Sequence, residues 1–251
     1  MRVLTIIHPH RLVFGPDSLQ QFASDFSATG LRRLLVVTAP AVRPLIEPTL
    51  EELKRNRINI LVDETITTEP VISSFLTILE RGRSFQADSV LGVGGGSVLD
   101  VSKLVAGLNE SSQGIHDVFG IDNLRGRRTY LICIPTTSGT GSEVSPNAIL
   151  LDAEEGVKKA VISPYLIPDA TYVDPKLTLT LPPRVTAETG MDALTHCIEV
   201  YANKRAHPLT DLYALEGIRL IGKYLKRAVI DGHDLEARTH LALASMYGGI
   251  G

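Results

Sequence analysis

The sequence predicts an α/β fold: a mostly parallel sheet with helices on both faces, followed by the start of an all-helical domain. Three observations carry that expectation. Short apolar runs alternate with amphipathic stretches through the first half of the chain. Those runs are continuously apolar, as strands covered on both faces require. Strand-like runs cease after Asp174, and only helical spacing follows.

The elements follow in order. Residues 3–7 and 11–14 read as short strands and 19–26 as a helix. Residues 34–37 form a buried strand, 42–55 a helix, 58–62 a strand, 71–83 a helix, 90–93 a strand and 98–108 a helix. Residues 130–134 make a compact apolar strand. Residues 147–152 and 158–162 flank the acidic turn Glu154-Glu155-Gly156, which predicts a hairpin. Leu181-Pro182-Pro183 is a stiff break, because proline fixes φ and offers no N–H. Beyond it, residues 185–201, 209–228 and 235–246 carry helical spacing. The domain boundary is expected near residue 182, separating 1–182 from 183–251.

Composition narrows the class. With 251 residues, 44% of them hydrophobic, the chain can bury a large core. The formal net charge of −3 argues against nucleic acid, which calls for a basic face, and the densest basic stretch, Arg125 to Arg128, is expected to be a solvated loop. No apolar run is long enough to span a bilayer, and the start lacks the apolar core of a signal peptide, so a cytoplasmic protein with no membrane partner is expected. Cys133 and Cys197 lie among apolar neighbours and are expected as two buried thiols.

Two loops suggest a nucleotide. The strand ending near Val93 runs into Gly94-Gly95-Gly96, with a helix opening near Ser97. Glycines let a ligand approach the backbone, and the first amides of a helix lack intrahelical partners and favour an anion. The spacing Gly92-x-Gly94-x-Gly96 is neither the usual dinucleotide fingerprint nor a P-loop, and a tight strand-to-helix turn is the alternative account. The second loop, Pro135 to Glu143, is dense in hydroxyls and glycine, so it packs no core but offers donors to ribose and phosphate oxygens. Further on, Asp192 and His196 stand four apart in a helical stretch and share one face. Such a pair is half of a metal site, or else a solvated or capping interaction.

The order of these motifs resembles the iron-containing alcohol dehydrogenase family. Its carriers are Phe14-Gly15-Pro16, Gly94-Gly95-Gly96-Ser97 with Asp100 and Lys103, Pro135-Thr136-Thr137 with Gly139-Thr140 and Ser142-Glu143, Pro168-Asp169 with Asp174-Pro175, and Gly190 to His196 with Glu199. The resemblance runs nearly end to end and implies an NAD- or NADP-dependent oxidoreductase of two domains, acting on a small alcohol or carbonyl substrate and open to homo-oligomer formation. It implies that Gly95, Gly96 and Ser97 surround the pyrophosphate, that Thr136, Thr137 and Thr140 lie along the cofactor, and that Lys159 reaches a ribose. Asp192 and His196 would be catalytic as the first two ligands of Fe(II) or Zn(II). Sugar-phosphate cyclases such as dehydroquinate synthase share the resemblance and form one alternative. A non-catalytic nucleotide-binding piece is another.

Two departures accompany the resemblance. The family completes its metal site with two later histidines, and the chain is expected to stop before them; His207, His233 and His240 are expected to be structural or solvated. The second departure is Ala39, which follows Thr38 where many relatives carry Asp, so a preference for NAD over NADP is not implied; Arg43 is expected as an exposed arginine on a surface helix, with a phosphate-binding role as the alternative.

Overall fold

Neighbouring residues of the central strands point into different cores, and this alternation organises the molecule. The computed structural model describes residues 3–251; Met1 and Arg2, at the start read for a signal peptide, lie outside the described residues. In chain order the first elements are β1 (Arg11–Phe14), α1 (Ser18–Ser27), β2 (Arg33–Thr38), α2 (Arg43–Arg55), β3 (Asn59–Asp63), α3 (Ile72–Phe85), β4 (Ser89–Gly94) and α4 (Gly96–Leu108). Then come α5 (Ile115–Val118), β5 (Gly120–Ile121), β6 (Tyr130–Pro135), β7 (Asn147–Asp152), β8 (Val157–Ile162) and β9 (Ala170–Val173). Three long helices close the chain: α6 (Pro183–Ala202), α7 (Pro208–Ile230) and α8 (Leu235–Ile250).

Six strands form one parallel sheet in the order β1-β9-β6-β4-β2-β3. Leu35 and Val37 of β2, Val90 of β4 and Leu131 and Cys133 of β6 enter one core with α3 and α4. Leu34, Val36, Leu91, Val93, Ile132 and Ile134 enter the other with α1 and α2. Both faces are therefore covered, which is why these strands lack polar alternation. The connection leaving β2 passes through α2 on one face, and the connection leaving β4 passes through α4 on the other, towards β3 and β6 respectively. Between the carboxyl ends of β2 and β4 the chain thus switches direction, the place where open α/β sheets bind ligands.

The expected hairpin forms: β7 and β8 pair antiparallel from Asn147↔Ile162 to Asp152↔Val157, with β5 added in parallel to β8. No strand follows Val173 among the described residues, and the helical layer has its own core of Ala193, Cys197, Leu220, Ile221, Tyr224, Leu241 and Ala244 with neighbouring alanines.

Three expectations are corrected. Residues 3–7 are not a strand: they pair with no strand of either sheet, with Val3 95% exposed, and an apolar run without a backbone partner does not become a strand. The stretch around Arg125 to Arg128 is not simply a solvated loop. The Arg127 guanidinium pairs with Asp169 and donates to the carbonyls of Thr129 (2.7 Å), Tyr165 (2.8 Å) and Ile167 (3.0 Å), fastening the approach to β9. Arg43 is not an exposed arginine; its side chain is 22% exposed, pairs with Glu47 at 2.7 Å and Glu64 at 3.5 Å, and leaves Nη1 buried without a partner. Strand β9 was not picked out because its four residues, Ala-Thr-Tyr-Val, make too short a run, yet all are buried once the strand pairs with β1 and β6.

Candidate functional site

The glycine loop and the threonine loop leave adjacent strands, since Gly94 of β4 pairs in register with Pro135 of β6. Thr136 N donates to Gly94 O at 2.9 Å and locks the two exits together. Helix α4 opens at Gly96, one residue before the expected start, with Gly95 as its extended N-cap. The amides of Val98 and Leu99 donate to Gly95 O at 3.0 and 3.1 Å, so those of Gly96 and Ser97 precede the first such bonds. A Cβ built on Gly96 would stand 2.7 Å from Thr140 Cγ2, so this position must be glycine for the loops to meet. One on Gly95 would touch Thr137 at 3.4 Å, an ordinary contact.

Within this cradle Ser97 and Thr140 are exposed, Thr137 is half-buried and Thr136 is buried. Lys159 stands on β8, where Nζ pairs with Asp152 and Glu155, each at 2.8 Å; the Asp152 hydrogen bond leads the effects that raise its pKa. Its ammonium is thus already held by the hairpin's own carboxylates.

The threonine loop reaches the helical layer. A Cβ on Gly139 would lie 3.3 Å from Asp192 Oδ2 and one on Gly248 3.3 Å from His196 Cβ. Gly141, at φ +62°, lets the loop backbone run against α8; a Cβ there would meet Gly249 Cα at 2.6 Å. On α6, His196 Nε2 lies 4.0 Å from Asp192 Oδ1, with the two side chains 36% and 44% exposed. His196 Nδ1 is buried and has no hydrogen-bond partner. Thr140 and His196 line one cavity of about 800 Å³, together with Asn147, Glu199 and the end of α8.

An imidazole nitrogen and a carboxylate so placed are donors of the kind that bind Fe(II) or Zn(II). Among the described residues no group of three or more His, Cys, Asp and Glu stands together for a metal. The downstream histidines have other partners. His207 Nδ1 accepts from Leu209 N at 3.1 Å and caps α7; the His240 ring stacks on Tyr224 at 4.1 Å; His233 is exposed in a turn. Cys133 and Cys197 are free and buried, their thiols pushed up to about 12 and about 11 by desolvation.

A polar cluster beneath the cradle entered the sequence reading only through the resemblance, which Asp100, Lys103, Ser142 and Glu143 help to carry, and was given no role there. Asp100 and Lys103 lie on α4 amid apolar residues. Asp100 accepts from Ser142 Oγ (2.6 Å) and Ile149 N (3.0 Å), and Lys103 Nζ donates to the carbonyls of Ser145 and Asn147 (each 2.8 Å). Burial pushes the Asp100 pKa up and the Lys103 pKa down, and raises that of neighbouring Glu143 to about 7. The available signal was a lysine inside an otherwise apolar helix.

Comparison with known proteins agrees with this arrangement. Residues 9–175 match the iron-containing alcohol dehydrogenase model, and residues 186–251 match the C-terminal model of the Fe-containing alcohol dehydrogenase family. The chain is 37% identical to long-chain-alcohol dehydrogenase 1 of Geobacillus thermodenitrificans, with 100% of this chain and 64% of the relative covered. It is 32% identical to the 1,3-propanediol dehydrogenase of Citrobacter freundii, over 99% of this chain and 65% of the relative. Among solved structures, a 1,3-propanediol oxidoreductase superposes with a TM-score of 0.94 at 31% identity, covering 99% of this chain and 66% of that one. A sulfoacetaldehyde reductase from Bifidobacterium kashiwanohense in complex with NAD+ superposes at 0.90 and 29% identity, covering 100% and 67%. The chain thus spans slightly less than two thirds of the curated relatives' length. These matches fit the dehydrogenase reading better than the cyclase alternative, and the chain belongs to the iron-containing alcohol dehydrogenase family.

Proposed function

We propose that the protein is a metal-dependent NAD(P) oxidoreductase that transfers hydride between a nicotinamide cofactor and a small alcohol, aldehyde or ketone. The observation that carries this reading is the threonine loop, whose Thr140 packs against Gly96 of the cradle while a Cβ on the adjacent Gly139 would stand 3.3 Å from the Asp192 carboxylate. A single loop thus joins the phosphate site to the paired metal donors. In this reading Gly95, Gly96 and Ser97 hold the pyrophosphate with backbone amides, and Thr136, Thr137 and Thr140 border the dinucleotide. Lys159 would reach a ribose on leaving Asp152 or Glu155, which makes its contribution the weakest of the set. Asp192 and His196 would hold Fe(II) or Zn(II), which when bound supplies a Lewis acid for the substrate oxygen. The cavity beside Thr140 and His196 receives the alcohol or carbonyl, and the surrounding loops keep water from the reacting carbon.

The proposal places residues 1–182 in a nucleotide-binding domain and 183–251 in a helical metal and substrate domain, consistent with the separate helical core. It includes a cytoplasmic location and no nucleic-acid or membrane partner; no helix among the described residues is long and apolar enough to cross a membrane. Homo-oligomer formation is compatible with it.

Titration with NAD(H) and NADP(H) tests the cofactor half: measurable binding of at least one is expected, and a folded sample that binds none refutes it. The metal half has a separate readout. Two donors are fewer than the three protein ligands of catalytic zinc, so the 251 residues alone should retain far less than one equivalent of Fe(II) or Zn(II) after dialysis and should not turn over small alcohols or aldehydes. Stoichiometric metal with turnover would bring His207, His233 or His240 into a role their present contacts oppose.

A further inference from the structure

Helix α4 does more than end in a phosphate cradle, because its second turn holds the opposite wall of the cofactor cleft. Asp100 and Lys103 are one turn apart, and between them they grip four points of the segment from Ser142 to Ile149, the end of the threonine loop and the chain just after it. Lys103 is 0% exposed and its three short or near contacts are to Ser145 O, Ser145 Oγ (3.4 Å) and Asn147 O. Burying an ammonium and a carboxylate is costly, and a fold needing only to fill this space could do so with apolar side chains. What the polar pair supplies is direction: its hydrogen bonds set the height and register of one loop relative to the helix that carries the other.

We propose that Asp100 and Lys103 are positioning residues that preset the threonine loop for the nicotinamide half of the dinucleotide. The proposal rests on the nucleotide reading above. Two adjacent residues in the middle of the loop supply the geometry: Thr140 packs so close to Gly96, beside the phosphate amides, that a Cβ there would stand 2.7 Å from it, and a Cβ on Gly139 would lie 3.3 Å from Asp192 Oδ2, beside the metal donors. The adenosine diphosphate half sits on the amides of α4 itself, which the helix core holds without this latch. Loosening the latch therefore releases the nicotinamide wall and leaves the phosphate wall in place. Preorganised loops bind more tightly because less ordering remains to be done on binding.

The test compares NADH with ADP on wild-type protein and on Asp100→Asn, Ser142→Ala and Lys103→Met. Ser142→Ala removes one latch bond with the smallest disturbance, and the other two neutralise each charge. Thermal melting confirms that each variant is folded at the temperature of titration. The expected result is an NADH Kd raised about tenfold or more in Asp100→Asn and Lys103→Met, less in Ser142→Ala, with the ADP Kd within about twofold of wild type. If Lys103→Met fails to fold, the other two variants decide. Equal weakening of both ligands means a general structural role and overturns the proposal, as does unchanged NADH affinity in folded Asp100→Asn and Ser142→Ala. Wild-type protein that binds neither ligand removes the nucleotide reading itself, a different outcome from selective failure of the variants.

Discussion

Helices α4 and α6 each carry half of the proposed chemistry, and they are built in opposite ways. In α4 nearly every residue from Val98 to Leu108 is buried, and the functional groups are backbone amides at its start. In α6 only Thr186, Gly190, Ala193 and Cys197 are buried, and the functional groups are side chains that remain more than a third exposed. The first site is finished by the core, because main-chain amides go wherever the packed helix puts them. The second is built from side chains that stay partly open to solvent, so it responds to whatever packs beside it. A site made of backbone tolerates little substitution; a site made of side chains is sensitive to whatever surrounds it.

The contrast breaks if the two halves cannot be disabled separately. The largest effect is expected for His196→Ala: in a preparation that turns over, activity should fall by well over about a hundredfold while the NADH Kd stays within about twofold, since the change removes a metal ligand and not the cradle. Parallel loss of cofactor binding would show that the helical layer shapes the cradle too. Next comes Gly95→Val, whose Cβ meets only an ordinary contact in the protein and so should leave the fold intact. Calorimetry should find nucleotide affinity reduced by about 3 kcal/mol or more, because the side chain enters the space assigned to phosphate; full affinity would move the phosphate elsewhere.

The buried cluster under α4 sharpens the comparison through pH. Burial raises the Glu143 carboxyl from 4.5 to about 7, so between those values the folded protein retains a proton that the unfolded chain has released. Its contribution to stability is complete below pH 4.5, declines as pH rises, and is lost above about 7, a change on the order of 3 kcal/mol. Glu143→Gln should flatten that part of a stability profile measured by urea denaturation; an unaltered slope would assign the titration to another group. The smallest effect is expected at the far end of the cleft, where Ala39→Asp should weaken NADP(H) by about 1 to 3 kcal/mol with NAD(H) nearly unchanged. Equal losses would place residue 39 away from the ribose.

Much of this was legible in the sequence where local chemistry and fold agreed. The apolar runs at 34–37, 90–93 and 130–134 could only be doubly covered strands, and the glycine and hydroxyl loops after two of them announced a shared ligand edge. Helical spacing put Asp192 and His196 on one face but left a solvated or capping pair open, and only the resemblance singled them out as metal donors. Residues 3–7 misled because an apolar segment does not carry its own hydrogen-bonding partner. Arg43 and Arg127 misled because an arginine's exposure depends on carboxylates and carbonyls far along the chain, Glu64 for the first and Asp169 for the second.

The sequence by itself determined the alternation of strands and helices, the all-helical end and the positions of the glycine, threonine and Asp/His motifs, since each is written in contiguous residues and their spacing. Only the tertiary structure decided that Gly139 would meet Asp192, that Gly141 would cross Gly249, and that Asp100 and Lys103 would latch the loop between them. Those contacts join segments distant in the chain, and they exist because parallel strand order and close backbone packing bring the segments to one edge of the sheet, which local residue patterns do not encode.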